Sequence, residues 1–450
     1  MPEQTHVLVI GGGTAGTACA RACARGGARV TVAEPDRLGG TCLWRGCIPK
    51  RALHDAARVH RIVRGAETFG TVVDAFSVDW ADTLAWKWHA QETYAGDQLG
   101  ILTELGVEVI RDSAHFLTAT RVAIGDAVLE PDFVVIATGS APLGLAVPGG
   151  PLADSSDEAL HYPALPASIV IVGSGYVAME FAGIFASFGT SVSVLSRSDE
   201  FLTSFDRETV EVALSALSDL GVTFVRGATV TSIDGVPGRL RVTHSDAQDA
   251  EHVIECERVL AAVGRTPSLD SLDIGQAQIE LDLHGNPVLD QYLRTSDRHI
   301  FVIGDAAGMA QHTPVASIHG RAVASSILTG HAHEPDVRAV PFACFTVPEL
   351  AQVGFSEAEA DEAKVPYTVH RATFEYLGAA ITSDSRRGLV KILADEKGRT
   401  LLGAHVAADN ASDLIYPLAL AVRTGATLSD VKHTAAVHPS FAEAINWAAG

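Results

Sequence analysis

Cysteine is scarce in this chain, with six in 450 residues. That is too few for the disulfide framework of a secreted scaffold. Four of the six, Cys19, Cys23, Cys256 and Cys344, stand in apolar helix or strand contexts that suit plain packing. Long hydrophobic runs are lacking as well. Although 47% of residues are apolar, Gly, Asp or Arg interrupts them, and no uncharged apolar stretch reaches the ~18 residues that a membrane span needs. Positive charge is in deficit, with 33 Lys and Arg against 54 Asp and Glu and a formal charge of −21. Such a balance disfavours nucleic acid and anionic membrane surfaces, so neither is expected as a partner. The opening Met1-Pro-Glu-Gln-Thr-His6 carries no basic segment and no small-residue cleavage site before the apolar run Val7–Ile10, so the expected location is the cytoplasm.

Glycine, by contrast, is patterned. The run His6–Ile10 leads into Gly11-x-Gly13-x-x-Gly16 and an Ala-rich segment, and the arrangement recurs weakly where Ser168–Val172 leads into Gly173-Ser-Gly175-Tyr176-Val-Ala178. Each copy reads as strand, turn and helix. The first glycine permits the tight turn, the second lets backbone approach a pyrophosphate, and the third position keeps helix and strand close. The helix start then presents amides and a positive dipole end to the phosphates. The two second strands end differently. Arg29–Glu34 ends in a carboxylate, which accepts hydrogen bonds from ribose hydroxyls and repels a 2′-phosphate. Ser191–Ser198 ends in hydroxyls and the guanidinium of Arg197, which pairs with a phosphate.

Cys42 and Cys47 lie in Gly39-Gly40-Thr41-Cys42-Leu43-Trp44-Arg45-Gly46-Cys47-Ile48-Pro49. A metal pair is the competing reading of two nearby cysteines, but zinc sites use a shorter spacing and need two further close ligands, so no metal site is expected. A dithiol between two dinucleotide turns resembles that of the pyridine nucleotide-disulfide oxidoreductases, the flavoprotein family that includes glutathione reductases, dihydrolipoamide dehydrogenases and mercuric reductases. Other blocks are similar in the same order: Phe133–Ser140, Val259–Pro267, Thr295–Asp305, His312–Ala316 and His438-Pro-Ser-Phe-Ala-Glu443.

The resemblance implies an α/β fold with two Rossmann-like dinucleotide-binding domains and a C-terminal α+β dimerisation domain. Its expected boundaries are 1–145 for the first FAD-binding segment, 146–265 for the NAD(P)-binding domain, 266–338 for the second FAD or central segment, and 339–450 for dimerisation. It gives FAD the residues Gly11, Gly13, Gly16, Glu34, Gly40, Thr41, Ala114, Thr138, Gly139, Asp305 and Thr313. The nicotinamide nucleotide falls to Gly173, Gly175, Tyr176, Arg197 and Gly264. Arg197 favours NADPH over NADH. A second basic residue usual in the glutathione reductase branch is Thr203 here, so NADH is expected to serve as well.

Within this resemblance Cys42 is the interchange thiol, and Cys47 lies against the flavin. A thiol with an ordinary pKa of about 8.5 is mostly protonated at neutral pH, and only the thiolate attacks a disulfide. His438 is the implied base, oriented by Glu443, and both reach the dithiol of the other subunit of a homodimer. Where the family has a lysine close to the flavin this chain has Arg51, expected to pair with Glu180. Trp44 replaces a small polar residue, either packing or narrowing the substrate mouth. Arg21 and Arg321 stand where glutathione reductases hold substrate carboxylates. The expected activity is therefore NADPH-dependent reduction of a small anionic disulfide of glutathione type. An NAD-linked dihydrolipoamide dehydrogenase and a reductase of metal ions, quinones or electrophiles remain alternatives.

Overall fold

The computed structural model describes residues 4–450; Met1 to Glu3, part of the segment behind the location expectation, lie outside the described residues. The chain forms two compact units. One comprises residues 4–52, 84–143 and 264–337, the other 53–83, 144–263 and 338–450.

In the first unit, five parallel strands stand in the order Ile300–Val302, Phe133–Ile136, His6–Ile10, Arg29–Ala33, Glu108–Ile110. The β-branched runs suit a sheet covered on both faces. Val7 and Val9 join one core with Cys19, Cys23 and Val323, while Leu8 and Ile10 join another with Phe116, Ile124 and Leu269. That split follows the two-residue period of a strand. Helix α1, Thr14–Arg25, covers the first face together with the helix Thr313–Thr329. An antiparallel ladder of 114–118, 121–124 and 127–129 covers part of the second.

The second unit holds a parallel sheet in the order Thr223–Val225, Ser191–Leu195, Ser168–Val172, Arg258–Ala261, with a three-stranded antiparallel ladder from residues 229–256. Its C-terminal part is a five-stranded antiparallel sheet, Phe342–Cys344, Glu349–Gly354, Leu401–Ala408, Leu389–Asp395, Tyr367–Thr373. The helix Ala411–Thr424 packs on it through Leu414, Ile415 and Leu418. The α/β class expected from sequence is the class observed. Cys19, Cys23, Cys256 and Cys344 are buried free thiols. Among the described residues no helix is long and apolar enough to cross a membrane.

One ionic cluster ties the unit together. Lys391 is 1% exposed, yet its ammonium donates to Asp206 at 2.6 Å and Glu208 at 2.9 Å and also meets Glu357. Asp206 caps the helix Arg207–Asp219 by accepting from the backbone of Glu208 and Thr209.

Candidate functional site

The first glycine turn is sterically compulsory. Gly11 has φ +109°, and a Cβ there would lie 2.3 Å from the carbonyl oxygen of Ala137; one at Gly16 would lie 1.9 Å from that of Gly11. Gly40 has φ +56° and approaches Gly13 so closely that a Cβ would sit 2.8 Å from its Cα. The glycine turn is thereby held against the start of α2, Gly40–Trp44, which carries Thr41 and Cys42. Neither α1 nor the helix Thr313–Thr329 has a side-chain cap or an acidic residue in its first turn, leaving positive ends for a phosphate or an electron-rich ring edge.

Around this turn Glu34 accepts from the amide of Gly12 at 2.7 Å and that of Asp36 at 2.9 Å. Asp305 accepts from the Ser140 hydroxyl at 2.9 Å, and Ser140 in turn receives the Arg265 guanidinium at 2.9 Å. The buried Thr138 hydroxyl, beside Gly139 with φ +74°, has no protein partner. Ala114 is buried at the start of its strand. His319, which sequence reasoning missed, receives the amide of Gly304 on Nδ1 at 3.3 Å and so steadies the turn into Asp305. Burial drops its pKa to about 4, and the ring is neutral. A glycine cradle, an orphaned buried hydroxyl, a ribose-type carboxylate and free helix ends fit FAD.

Both cysteines are free thiols, Cys42 half-buried and Cys47 exposed at the start of α3, Cys47–Arg64. Cys47 Sγ lies 3.4 Å from Thr313 Oγ1. The Cys42 thiol is pushed well above the ordinary range, first by its hydrogen bond with Cys47 and then by burial. It needs a base. The turn between the cysteines is held by Gln91, a fully buried residue of α4, Trp80–Ala95, whose amide donates to the carbonyls of Leu43 at 3.0 Å and Trp44 at 3.1 Å. Trp44 packs: its indole N–H donates to the Leu38 carbonyl at 2.9 Å, and the Arg37 guanidinium sits 4.8 Å over the ring.

Cys42 lines a cavity of about 410 Å³ together with Thr313, Arg21, Arg321, Arg25, Tyr94 and Gln98. Sequence reasoning named Cys42, Thr313, Arg21 and Arg321 and missed Arg25, Tyr94 and Gln98. Arg25 carried a signal, since it follows Arg21 by four residues and shares its helical face; Tyr94 and Gln98 carried none. The Arg21 guanidinium donates to Gln98, and its Nε is buried without a partner.

In the second unit the glycine turn repeats. Gly173 has φ +137°, and a Cβ would lie 2.2 Å from the Ala262 oxygen. Gly175 starts the helix Tyr176–Ser187 with no side-chain cap and open space around it. Arg197 is exposed just past the tip of Ser191–Leu195, and Gly264, where the chain returns to the first unit, has φ +127°. Glu180 is fully buried and accepts from the Phe345 amide at 2.8 Å. His438 Nδ1 lies 2.8 Å from Glu443 Oε1, and Glu443 Oε2 accepts from the Ser440 amide at 2.9 Å. The His438 bond, helped by that amide, holds the Glu443 carboxyl below its usual range. With its side chain 79% exposed, His438 presents its other nitrogen outward. Arg51 belongs to the first unit and Glu180 to the second.

Residues 5–320 match the family described as pyridine nucleotide-disulphide oxidoreductase, and residues 340–449 match that family's dimerisation domain. The chain is 33% identical over 439 residues to a glutathione reductase of Burkholderia cepacia, covering 97% of this chain and 96% of the relative. It is 34% identical over 460 residues to a dihydrolipoyl dehydrogenase of Haloferax volcanii, covering 99% and 95%. A solved Cu(II) complex of the HOCl-induced flavoprotein disulfide reductase RclA from Escherichia coli superposes with a TM-score of 0.88 at 26% identity, covering 99% of each chain. The chain belongs to the pyridine nucleotide-disulphide oxidoreductase family. It is an oxidoreductase of a family that binds FAD and takes electrons from NAD(P)H.

Proposed function

We propose that the protein is a homodimeric NADPH-dependent reductase of a small anionic disulfide. The observation that carries this reading is that Cys42 shares one cavity with Arg21 and Arg321. Guanidinium groups pair with carboxylates and orient them, which brings the substrate disulfide to a thiol at the same cavity. Bound FAD supplies two-electron transfer between the nicotinamide and the dithiol. Arg197, exposed past its strand tip, suits the 2′-phosphate of NADPH.

The protein's own residues carry the exchange. The partner subunit's His438 takes the Cys42 proton, which the raised thiol pKa otherwise retains. The Cys42 thiolate attacks one substrate sulfur, the S–S bond breaks, a mixed disulfide forms, and the departing thiolate receives the proton from that imidazole. Cys47 then attacks Cys42 Sγ, releasing the second substrate thiol and leaving a Cys42–Cys47 disulfide. Two electrons from NADPH restore the dithiol. Glu443 holds the imidazole through its 2.8 Å bond. Arg51 and Glu180 occupy the sequence positions of the family's lysine and glutamate, 146–265 bind the nicotinamide nucleotide, and 339–450 form the dimer.

A second reading rests on the dihydrolipoyl dehydrogenase among the relatives. Coenzyme turnover by the purified, FAD-loaded dimer separates the two. NADPH-selective oxidation with glutathione disulfide is the expected result, and faster NAD+ reduction by dihydrolipoamide overturns it.

A further inference from the structure

The cavity at Cys42 holds a third guanidinium that no part of the exchange mechanism requires. Arg25 lines it beside Arg21 and Arg321, and none of its lining residues is acidic. In a chain with 54 acidic and 33 basic residues, three cations around one cavity without a carboxylate among them is a local inversion of the overall charge. The guanidinium groups of Arg25 and Arg321 have no hydrogen bond or ion pair among the described residues, and Arg21 spends one nitrogen on the neutral Gln98 while its Nε stays unsatisfied. Arg21 and Arg25 are four residues apart on α1, a spacing at which like charges repel. Stability of the helix therefore does not explain both. A cation in the last turn of a helix is favoured by the dipole, which accounts for Arg25 alone and not for Arg21 or for Arg321 on a different helix.

We infer that the half of the disulfide entering this cavity bears at least two anionic groups, and that Arg25 is the specificity-determining residue for the outer one. The inference rests on the disulfide-reductase reading above and adds Arg25 to the groups that select its substrate. Position along α1 sets the order: Gly320, next to Arg321, packs against Ala15 and Cys19, Arg21 follows, and Arg25 lies about one turn, ~6 Å, farther from the helix start at Thr14. An anion close to the reacting sulfur meets Arg21 and Arg321, and one farther along the substrate meets Arg25. Tyr94, 64% exposed on the lining, offers a ring face to the intervening chain. The anionic groups are carboxylates or phosphates, since both suit a guanidinium fork.

The test uses the FAD-loaded enzyme and four disulfides: lipoamide, lipoate, glutathione disulfide and coenzyme A disulfide. The first two differ by one carboxylate, and the last two carry several anionic groups as carboxylates or as phosphates. Expected is a rise of kcat/KM with anionic charge, steepest in low salt. Replacing Arg25 with Gln is expected to raise KM for the better of the two polyanions by roughly tenfold while kcat falls far less, as for one lost charged hydrogen bond. Arg25→Lys is expected to restore much of the loss. Because Arg25 is exposed, the Gln variant should fold and keep its flavin, and its flavin content checks this. An unchanged KM for both polyanions in Arg25→Gln, or an equal proportional loss with lipoamide, overturns the role of Arg25 while leaving the reductase reading in place. A wild-type enzyme that NADPH reduces but that turns over none of the four disulfides overturns the reductase reading itself.

Discussion

The side-chain amide of Gln91 donates to the Leu43 carbonyl at 3.0 Å, so a fully buried residue of α4 fixes the backbone between the two cysteines. The same amide holds Trp44 at 3.1 Å, and α2 ends there with carbonyls that its own five residues cannot satisfy. Gln91→Leu keeps the volume and strands both carbonyls, a cost of about 1–3 kcal/mol for each if it stays buried. The expected outcome is a lower melting temperature and a dithiol midpoint potential displaced from that of the wild type. A variant with only the melting change would limit Gln91 to packing.

His319 makes the stability of the first unit depend on pH. Its folded pKa of about 4 lies below the ordinary histidine value of 6.5, so between those values the unfolded chain binds more protons than the folded one. Stability is fully present above about pH 6.5 and falls as pH drops towards 4. Denaturant titrations at pH 7 and pH 4.5 are expected to show this, with a smaller difference in His319→Asn.

Lys391 is the cation on which three carboxylates depend. Lys391→Met leaves Asp206 buried beside Glu208 and Glu357 without it, and a loss of about 3 kcal/mol in unfolding free energy is expected, the usual order for breaking a buried pair. Glu208 gives the cluster an acid signature. Its pKa is lowered from 4.5 to about 2, chiefly by the Arg371 hydrogen bond, so its contribution is present above 4.5 and lost as pH falls through 2. A melting temperature within error of wild type for Lys391→Met would contradict this account.

Glu443→Gln removes the carboxylate from His438 Nδ1 while preserving the shape of the side chain. Turnover with a disulfide is expected to drop by about 10²-fold, in the range for loss of a positioned acid–base group, while NADPH still reduces the flavin. Stopped-flow reduction and steady-state turnover together separate the two half-reactions.

Much of this was legible in sequence because it is local. Gly11, Gly16 and Gly173 announce themselves because no other residue fits their turns, and His438 and Glu443 meet within a single five-residue step. Arg21 and Arg321 were found as separate positions, and the fold brings them to one cavity with Cys42. Gln91 was not legible: it lies 48 residues from Leu43, on a helix without a motif. Lys391 and Asp206 are 185 residues apart, and a lysine inside a strand gives no sign that its charge is buried. His319 is one helix residue among others in sequence, and only the fold sets its ring nitrogen against the Gly304 amide.

The most direct test of the central claim is to identify which thiol takes the substrate. Cys47→Ser and Cys42→Ser enzymes are each incubated with the preferred disulfide, and the cysteine-bearing peptides are weighed by mass spectrometry. The account predicts one substrate half bound to Cys42 in Cys47→Ser and none on Cys47 in Cys42→Ser. Equal or faster capture by Cys47 in Cys42→Ser would contradict it.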